Sequence, residues 1–215
     1  MKKYKLYLYD WDGCLAKTLN IWLDAYKKLF SEYGIQISEQ TITTKVFGDW
    51  EGPKKVGIQD NEKFTKELLN LVNAGFQTLV LYPNAKETLV KLKELGAKIA
   101  LVSTSKWDSI KPAFEKNNLS KLVDTVISAE SVAHHKPDPE SIYKAMQDCG
   151  ITNTEDVVII GDSNKDVLCG TNANIDTILF YPPENHKFYD VQGFKPSTFV
   201  IKDHLNIVEQ FDNKF

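Results

Sequence analysis

From about Pro83 onward, short uninterrupted apolar runs alternate with stretches of helical periodicity, and no other feature of this chain limits its fold so strongly. Asn84 to Leu95 sets Ala85, Leu89, Leu92 and Gly96 on one side, with Glu87 and Lys91 spaced to pair, and Ala97 to Val102 follows as a buried strand. The pattern repeats as a helix near Trp107 to Lys116, a strand near Val123 to Ile127, a helix from Glu140 to Cys149 and a strand from Val157 to Ile160. A further strand, Asp176 to Phe180, and a late pair of segments, Phe199 to Ile201 then Leu205 to Phe211, finish the chain. With the apolar run Tyr4 to Tyr9 as the first strand, this alternation predicts an α/β fold built on a doubly wound parallel sheet.

Residues from about Thr18 to Tyr82 break the rhythm. Leu19, Trp22, Leu23, Tyr26, Leu29, Phe30 and Tyr33 follow helical spacing, as do Phe64, Leu68, Leu71 and Val72, with no strand pattern between them. The expected division is a core of residues 1–17 and 83–215 carrying a helical insertion of residues 18–82. Within the insertion, Phe47 to Lys55 combines turn residues with an aromatic ring and two lysines, which predicts a loop facing the ligand crevice. Trp50, Lys54 and Lys55 are therefore the candidates for choosing a substrate.

Composition narrows the partners. With 215 residues, 42% of them hydrophobic, the chain can bury a full core as one domain or one domain with an insertion. A net charge of -3 provides no basic field, so neither polymeric nucleic acid nor a membrane surface is an expected partner. All 26 basic residues are lysine, and without arginine the planar fork that often grips phosphate is missing. Lysines and backbone amides must hold any anion. Cys14, Cys149 and Cys169 are unevenly spaced, which suggests neither a disulfide framework nor a zinc site and makes the cytoplasm the expected setting. The opening Met-Lys-Lys-Tyr-Lys leads into an apolar stretch that runs straight into Asp10, so it reads as a core strand and not as a signal peptide.

Two acidic clusters stand at strand ends. Asp10-Trp11-Asp12-Gly13 follows the first strand, and Gly161-Asp162-Ser163-Asn164-Lys165-Asp166 follows Val157 to Ile160. In an open α/β sheet such ends converge where ligands bind, and two carboxylate pairs in one crevice suit a hard metal together with phosphate. A carboxylate can attack phosphorus while a neighbour two residues on shuttles protons to the leaving group. Ser103-Thr104-Ser105, delivered by a strand to a helix start, offers hydroxyls and amides to an anion. Lys136 sits in a proline-stiffened loop ahead of the next helix.

In order and context these segments resemble the motifs of the haloacid dehalogenase superfamily, in its phosphatase-like branch with a small helical cap. Asp10 to Leu15 matches the pattern Asp-x-Asp-Gly-(Thr/Val)-(Leu/Ile/Val) except at Cys14, Ser103 matches the hydroxyl after the second core strand, Lys136 to Pro139 matches Lys-Pro-x-Pro, and Gly161 to Asp166 matches Gly-Asp-Ser-x-x-Asp. The resemblance implies a Rossmann-like core, Asp10 as nucleophile, Asp12 as general acid and base, and Ser103, Thr104 and Lys136 around the phosphoryl group. It also implies Mg2+ held by Asp10, Asp162 and Asp166, directly or through water, and by the main-chain carbonyl of Asp12. Cys14 is read as a small packing residue.

The expected activity is hydrolysis of a small phosphorylated metabolite through a phospho-Asp10 intermediate. A phosphomutase resembling β-phosphoglucomutase is the nearest alternative, but the cap histidine of that relative, twelve residues after the nucleophile, is Trp22 here. A non-catalytic binding protein on the same scaffold is the other alternative, since fold does not fix function.

Overall fold

Six parallel strands, β1 (Leu6–Tyr9), β2 (Lys98–Val102), β3 (Thr125–Ile127), β4 (Val157–Gly161), β5 (Asp176–Phe180) and β6 (Phe199–Ile201), form one sheet in the order β3-β2-β1-β4-β5-β6. The structure, a computed structural model, describes residues 2–209. The order runs outward in both directions from the β1–β4 pair, so the connections leaving these two strands diverge and open a crevice at their carboxyl ends. Tyr9 is in register with Ile160, and the Asp10 amide donates to the Ile160 carbonyl at 2.9 Å, so the ladder delivers Asp10 and Asp162 side by side.

Every residue of β1 is buried, because the sheet is covered on both faces. Tyr7 and Tyr9 join Ile99, Leu101, Val158 and Ile160 in one apolar layer, against α5 (Ala85–Glu94) and α6 (Trp107–Lys116). Leu6 and Leu8 point the other way and join Ala100, Val102, Val157 and Ile159, against α7 (Glu140–Cys149) and α8 (Asn164–Asn172). This alternation is the period-two geometry of a strand read off four consecutive residues. The expected i,i+4 pair on α5 forms, with Lys91 Nζ 3.2 Å from Glu87.

Between β1 and α5 lie four helices: α1 (Leu19–Glu32), α2 (Glu39–Lys45), α3 (Gly52–Lys55) and α4 (Asn61–Gly75). Leu23, Tyr26, Leu29 and Phe30 of α1 meet Phe64, Leu68 and Val72 of α4 in a dry aromatic seam, where Phe30 and Phe64 lie 5.0 Å apart between ring centroids. Ser38 and Asp60 cap α2 and α4 by accepting from Thr41 N and Lys63 N. The chain enters and leaves this region through adjacent segments, with Lys17 N donating to Val80 O and Tyr82 N to Leu15 O. Phe47 to Lys55, read as a loop, closes into the short α3 at its end. The segment Leu205 to Phe211 begins as a 3-10 turn, His204–Ile207, and its residues from 210 on lie outside the described residues. Among the described residues no helix is long and apolar enough to cross a membrane.

His204 ties that turn to the first acidic loop. It is fully buried, stacks on Phe180 at 4.2 Å and faces the Cys14 carbonyl from Nε2 at 3.1 Å. A carbonyl only accepts, so Nε2 carries the proton and donates. Burial lowers its pKa from 6.5 to about 4. Between those values the unfolded chain binds the extra proton and the native protein does not, so stability rises with pH across this window and is lost as pH falls through it. The expected loss is about 3 kcal/mol between pH 6.5 and 4. Urea midpoints across this range should fall more steeply for the parent protein than for His204→Phe; parallel slopes would refute the assignment.

Candidate active site

The turn after β1 is held from three sides. Gly13 has φ +74°, and a Cβ there would run into the Asp162 carboxylate and Leu19, so the close approach of the two acidic loops requires glycine. The buried Asn185 donates to Gly13 O at 2.9 Å, Thr18 Oγ1 accepts from Gly13 N at 3.2 Å, and His204 holds Cys14 O. Cys14 itself is fully buried, as a packing residue would be.

Asp10, Asp162 and Asp166 are all buried, and each offers an oxygen within 4.8 Å of the others. Lys136 Nζ lies among them, 2.6 Å from Asp10 Oδ1, 2.6 Å from Asp166 Oδ1 and 3.2 Å from Val102 O. Its loop is fixed by Asn172 Nδ2 donating to Pro137 O and by Cys169 Sγ at 3.2 Å from Asp138 O. Asp166 is anchored on its other oxygen by Ser163, through both N and Oγ, which also caps α8. Burial opposes the Lys136 ammonium, but the Asp10 and Asp166 carboxylates outweigh it and raise its pKa, so the lysine is charged. Burial, against the pull of Lys136, pushes the Asp10 carboxyl up to about 7. Burial and then the Asp10 and Asp166 charges push Asp162 well above the carboxylate range. One lysine among three buried carboxylates leaves excess negative charge, and Asp162 Oδ2 is sealed from solvent with no hydrogen-bond partner. An all-oxygen donor set with an orphaned carboxylate oxygen fits a hard divalent cation.

Asp12 turns elsewhere. Its Oδ1 accepts from Trp22 Nε1 of α1 at 3.2 Å, and its Oδ2 accepts from Ser105 Oγ at 2.6 Å. The strand ends at Tyr9, so the turn that follows, and not strand alternation, sets the directions of Asp10 and Asp12. Both carboxylates nonetheless line one cavity of about 290 Å³, together with Thr104, Lys136 and Asp162. Ser103 is buried behind it, its Oγ accepting from Ser105 N at 3.0 Å.

The candidates from the insertion separate. Trp50 is 51% exposed and lines both this cavity and a wider one of about 970 Å³ beside α4. Lys54 lines only the wider cavity and is ion-paired to Glu51 at 2.6 Å. Lys55 lines neither and is paired to Asp49 at 2.6 Å. Reading the sequence missed Ser105 as a partner of Asp12, and it missed Lys165, Tyr189 and Phe194 in the cavity wall. Lys165 Nζ donates to Gly48 O at 2.6 Å, tying the start of α8 to the insertion. No spacing in the chain links Tyr189 or Phe194 to the motifs; only the return of the chain after β5 does.

Comparison with known proteins gives the family and the fold. The family model described as haloacid dehalogenase-like hydrolase matches residues 7–180. A pyrophosphatase PpaX of Oceanobacillus iheyensis is 26% identical over 210 residues, covering 94% of this chain and 95% of the relative. A phosphoglycolate phosphatase of Aquifex aeolicus is 26% identical, covering 95% and 99%. The crystal structure of a subfamily IA hydrolase of the same superfamily from Geobacter sulfurreducens superposes with a TM-score of 0.72 at 18% identity, covering 96% of each chain, which carries the fold.

Proposed function

The chain belongs to the haloacid dehalogenase-like hydrolase family, and on that premise we propose that it is a Mg2+-dependent phosphatase of small phosphorylated metabolites working through a phosphoryl group carried on Asp10. The observation that carries this reading is the buried Asp10, Asp162 and Asp166 cluster around Lys136, opening on a cavity that Asp12 shares. Residues 18–82 act as a cap over the core of residues 1–17 and 83–215. The cytoplasm is the proposed setting, supported by three cysteines that all stand unpaired.

In this reading the Asp10 carboxylate attacks phosphorus, the ester oxygen leaves as the alcohol with a proton from Asp12, and water then releases phosphate as Asp12 recovers a proton. Lys136, with the Ser103 and Thr104 segment, holds the phosphoryl oxygens and offsets charge as the transferring group passes between nucleophiles. Magnesium, when bound, would be held by Asp10, Asp162, Asp166 and the Asp12 carbonyl, and would supply neutralisation of charge on the phosphoryl oxygens. Hydrolysis is favoured over mutase chemistry because the position of the mutase histidine is Trp22, whose indole N–H is committed to Asp12.

Phosphate release from p-nitrophenyl phosphate and a panel of phosphorylated metabolites tests the proposal. Turnover should fall to background in excess EDTA and return with added Mg2+. Activity indifferent to the chelator would overturn it.

A further inference from the structure

Six aromatic residues wall the cavity that holds Asp10 and Asp12: Trp22, Tyr26, Phe47, Trp50, Tyr189 and Phe194. They come from three separate segments, α1, the loop before α3 and the stretch after β5, yet they touch in one unbroken series. Trp50 lies 6.1 Å from Trp22, Trp22 6.5 Å from Tyr26, Tyr26 6.3 Å from Phe47, Phe47 6.4 Å from Tyr189, and Tyr189 6.1 Å from Phe194, between ring centroids. Rings at such separations present edges and faces to one another, and to any further ring placed among them. Trp50, at the mouth, leaves half of a large apolar surface in water. Because Trp50 stands on the rim of the cavity, that surface is within reach of whatever enters it.

Positive charge at the same wall is already engaged. The lysines that line this cavity are Lys136, between two carboxylates, and Lys165, which donates to Gly48 O beside Asp49. Lys54 and Lys55 answer Glu51 and Asp49. Lys165 keeps N–H groups to spare, but beside the Asp49 carboxylate, so a second anionic group on a substrate would share that cation with a carboxylate, while a flat uncharged group needs no cation there.

We infer that this cavity takes a phosphomonoester whose leaving group carries a neutral planar ring, stacked against Trp22 and Trp50 while the phosphate meets Asp10 and Lys136. The inference rests on the phosphatase reading for its phosphate end alone.

A matched pair of non-hydrolysable ligands isolates the ring. Benzylphosphonate and phosphonoacetate, titrated into the whole protein with Mg2+ and followed by calorimetry, should differ, benzylphosphonate binding about tenfold tighter. In Trp50→Ala, and also in Trp50→Leu, which keeps bulk but removes the ring, that ratio should fall towards one. Phosphonoacetate binding as tightly as benzylphosphonate, no saturable binding of benzylphosphonate, or a ratio unmoved by both variants would each overturn the inference. Turnover keeps the two readings apart. Benzylphosphonate preference without phosphate release from benzyl phosphate would remove hydrolysis and leave the ring site standing. Phosphoglycolate or pyrophosphate hydrolysed in preference to benzyl phosphate would keep hydrolysis and remove the ring site.

Discussion

Lys136→Met should cost about 3–5 kcal/mol of stability at pH 8 as well as turnover, because it leaves two buried carboxylates facing each other without their shared cation. Lys136 is within 2.6 Å of both Asp10 and Asp166 and is almost wholly buried, so water entering from the cavity could replace its hydrogen bonds but not its charge. The pH dependence follows from the same geometry. In the variant the folded carboxylates hold protons more tightly than the unfolded chain, whose aspartates ionise near 3.9. Native protein then binds the excess proton, so the stability deficit is small below about pH 4 and grows as pH rises through the folded values. Urea midpoints of parent and variant at pH 5 and pH 8 give the test: the gap should widen at the higher pH. Adding Asp166→Asn to the variant should recover part of the loss, since it removes one of the unpaired charges. A gap that narrows as pH rises would mean that Lys136 does not neutralise this cluster.

Much of this architecture was legible because period and burial leave strong marks on the sequence. The helices Trp107–Lys116 and Glu140–Cys149 and the strands Asp176–Phe180 and Phe199–Ile201 coincide with the expected segments, each having an apolar pattern of one period bounded by polar residues. The region between α1 and α4 was less legible. Glu39–Lys45 reads EQTITTK, with a single large apolar residue, and its helix stands on the Ser38 cap and on Ile42 packing, which no periodicity reveals. The motif carboxylates converge as strand ends in a parallel sheet must, but the partners of Asp12 come from α1 and from the hydroxyl run after β2, brought together only by folding. Lys54 and Lys55 stand out as substrate-choosing candidates only while Phe47 to Lys55 is a loop. Once Gly52–Lys55 closes into a helical turn, Glu51 lies three residues from Lys54 and claims it.

Asp10→Asn and Asp12→Asn should separate two chemical roles that their spacing alone cannot. Without a nucleophile, Asp10→Asn is expected to lose turnover by about 10⁴-fold or more on every substrate. Asp12→Asn should lose about 100- to 10,000-fold on alkyl phosphates, whose alcohols leave poorly without a proton, and much less on p-nitrophenyl phosphate, whose phenolate leaves unaided. Both Asp12 oxygens accept one hydrogen bond each, from Trp22 and Ser105, and each keeps a second lone pair, so a proton-carrying Asp12 can face a leaving group while these two donors fix its orientation. Asparagine would place its amide N–H₂ against one of the same donors, and a thermal unfolding curve for the variant separates that packing cost from the chemical one. The decisive measurement is kcat/KM across phosphomonoesters of graded leaving-group basicity: the slope should steepen in Asp12→Asn and keep its parental value in whatever activity Asp10→Asn retains. Equal damage by Asp12→Asn at both ends of the series would show that this carboxylate positions the cap through Trp22 and does not donate the proton.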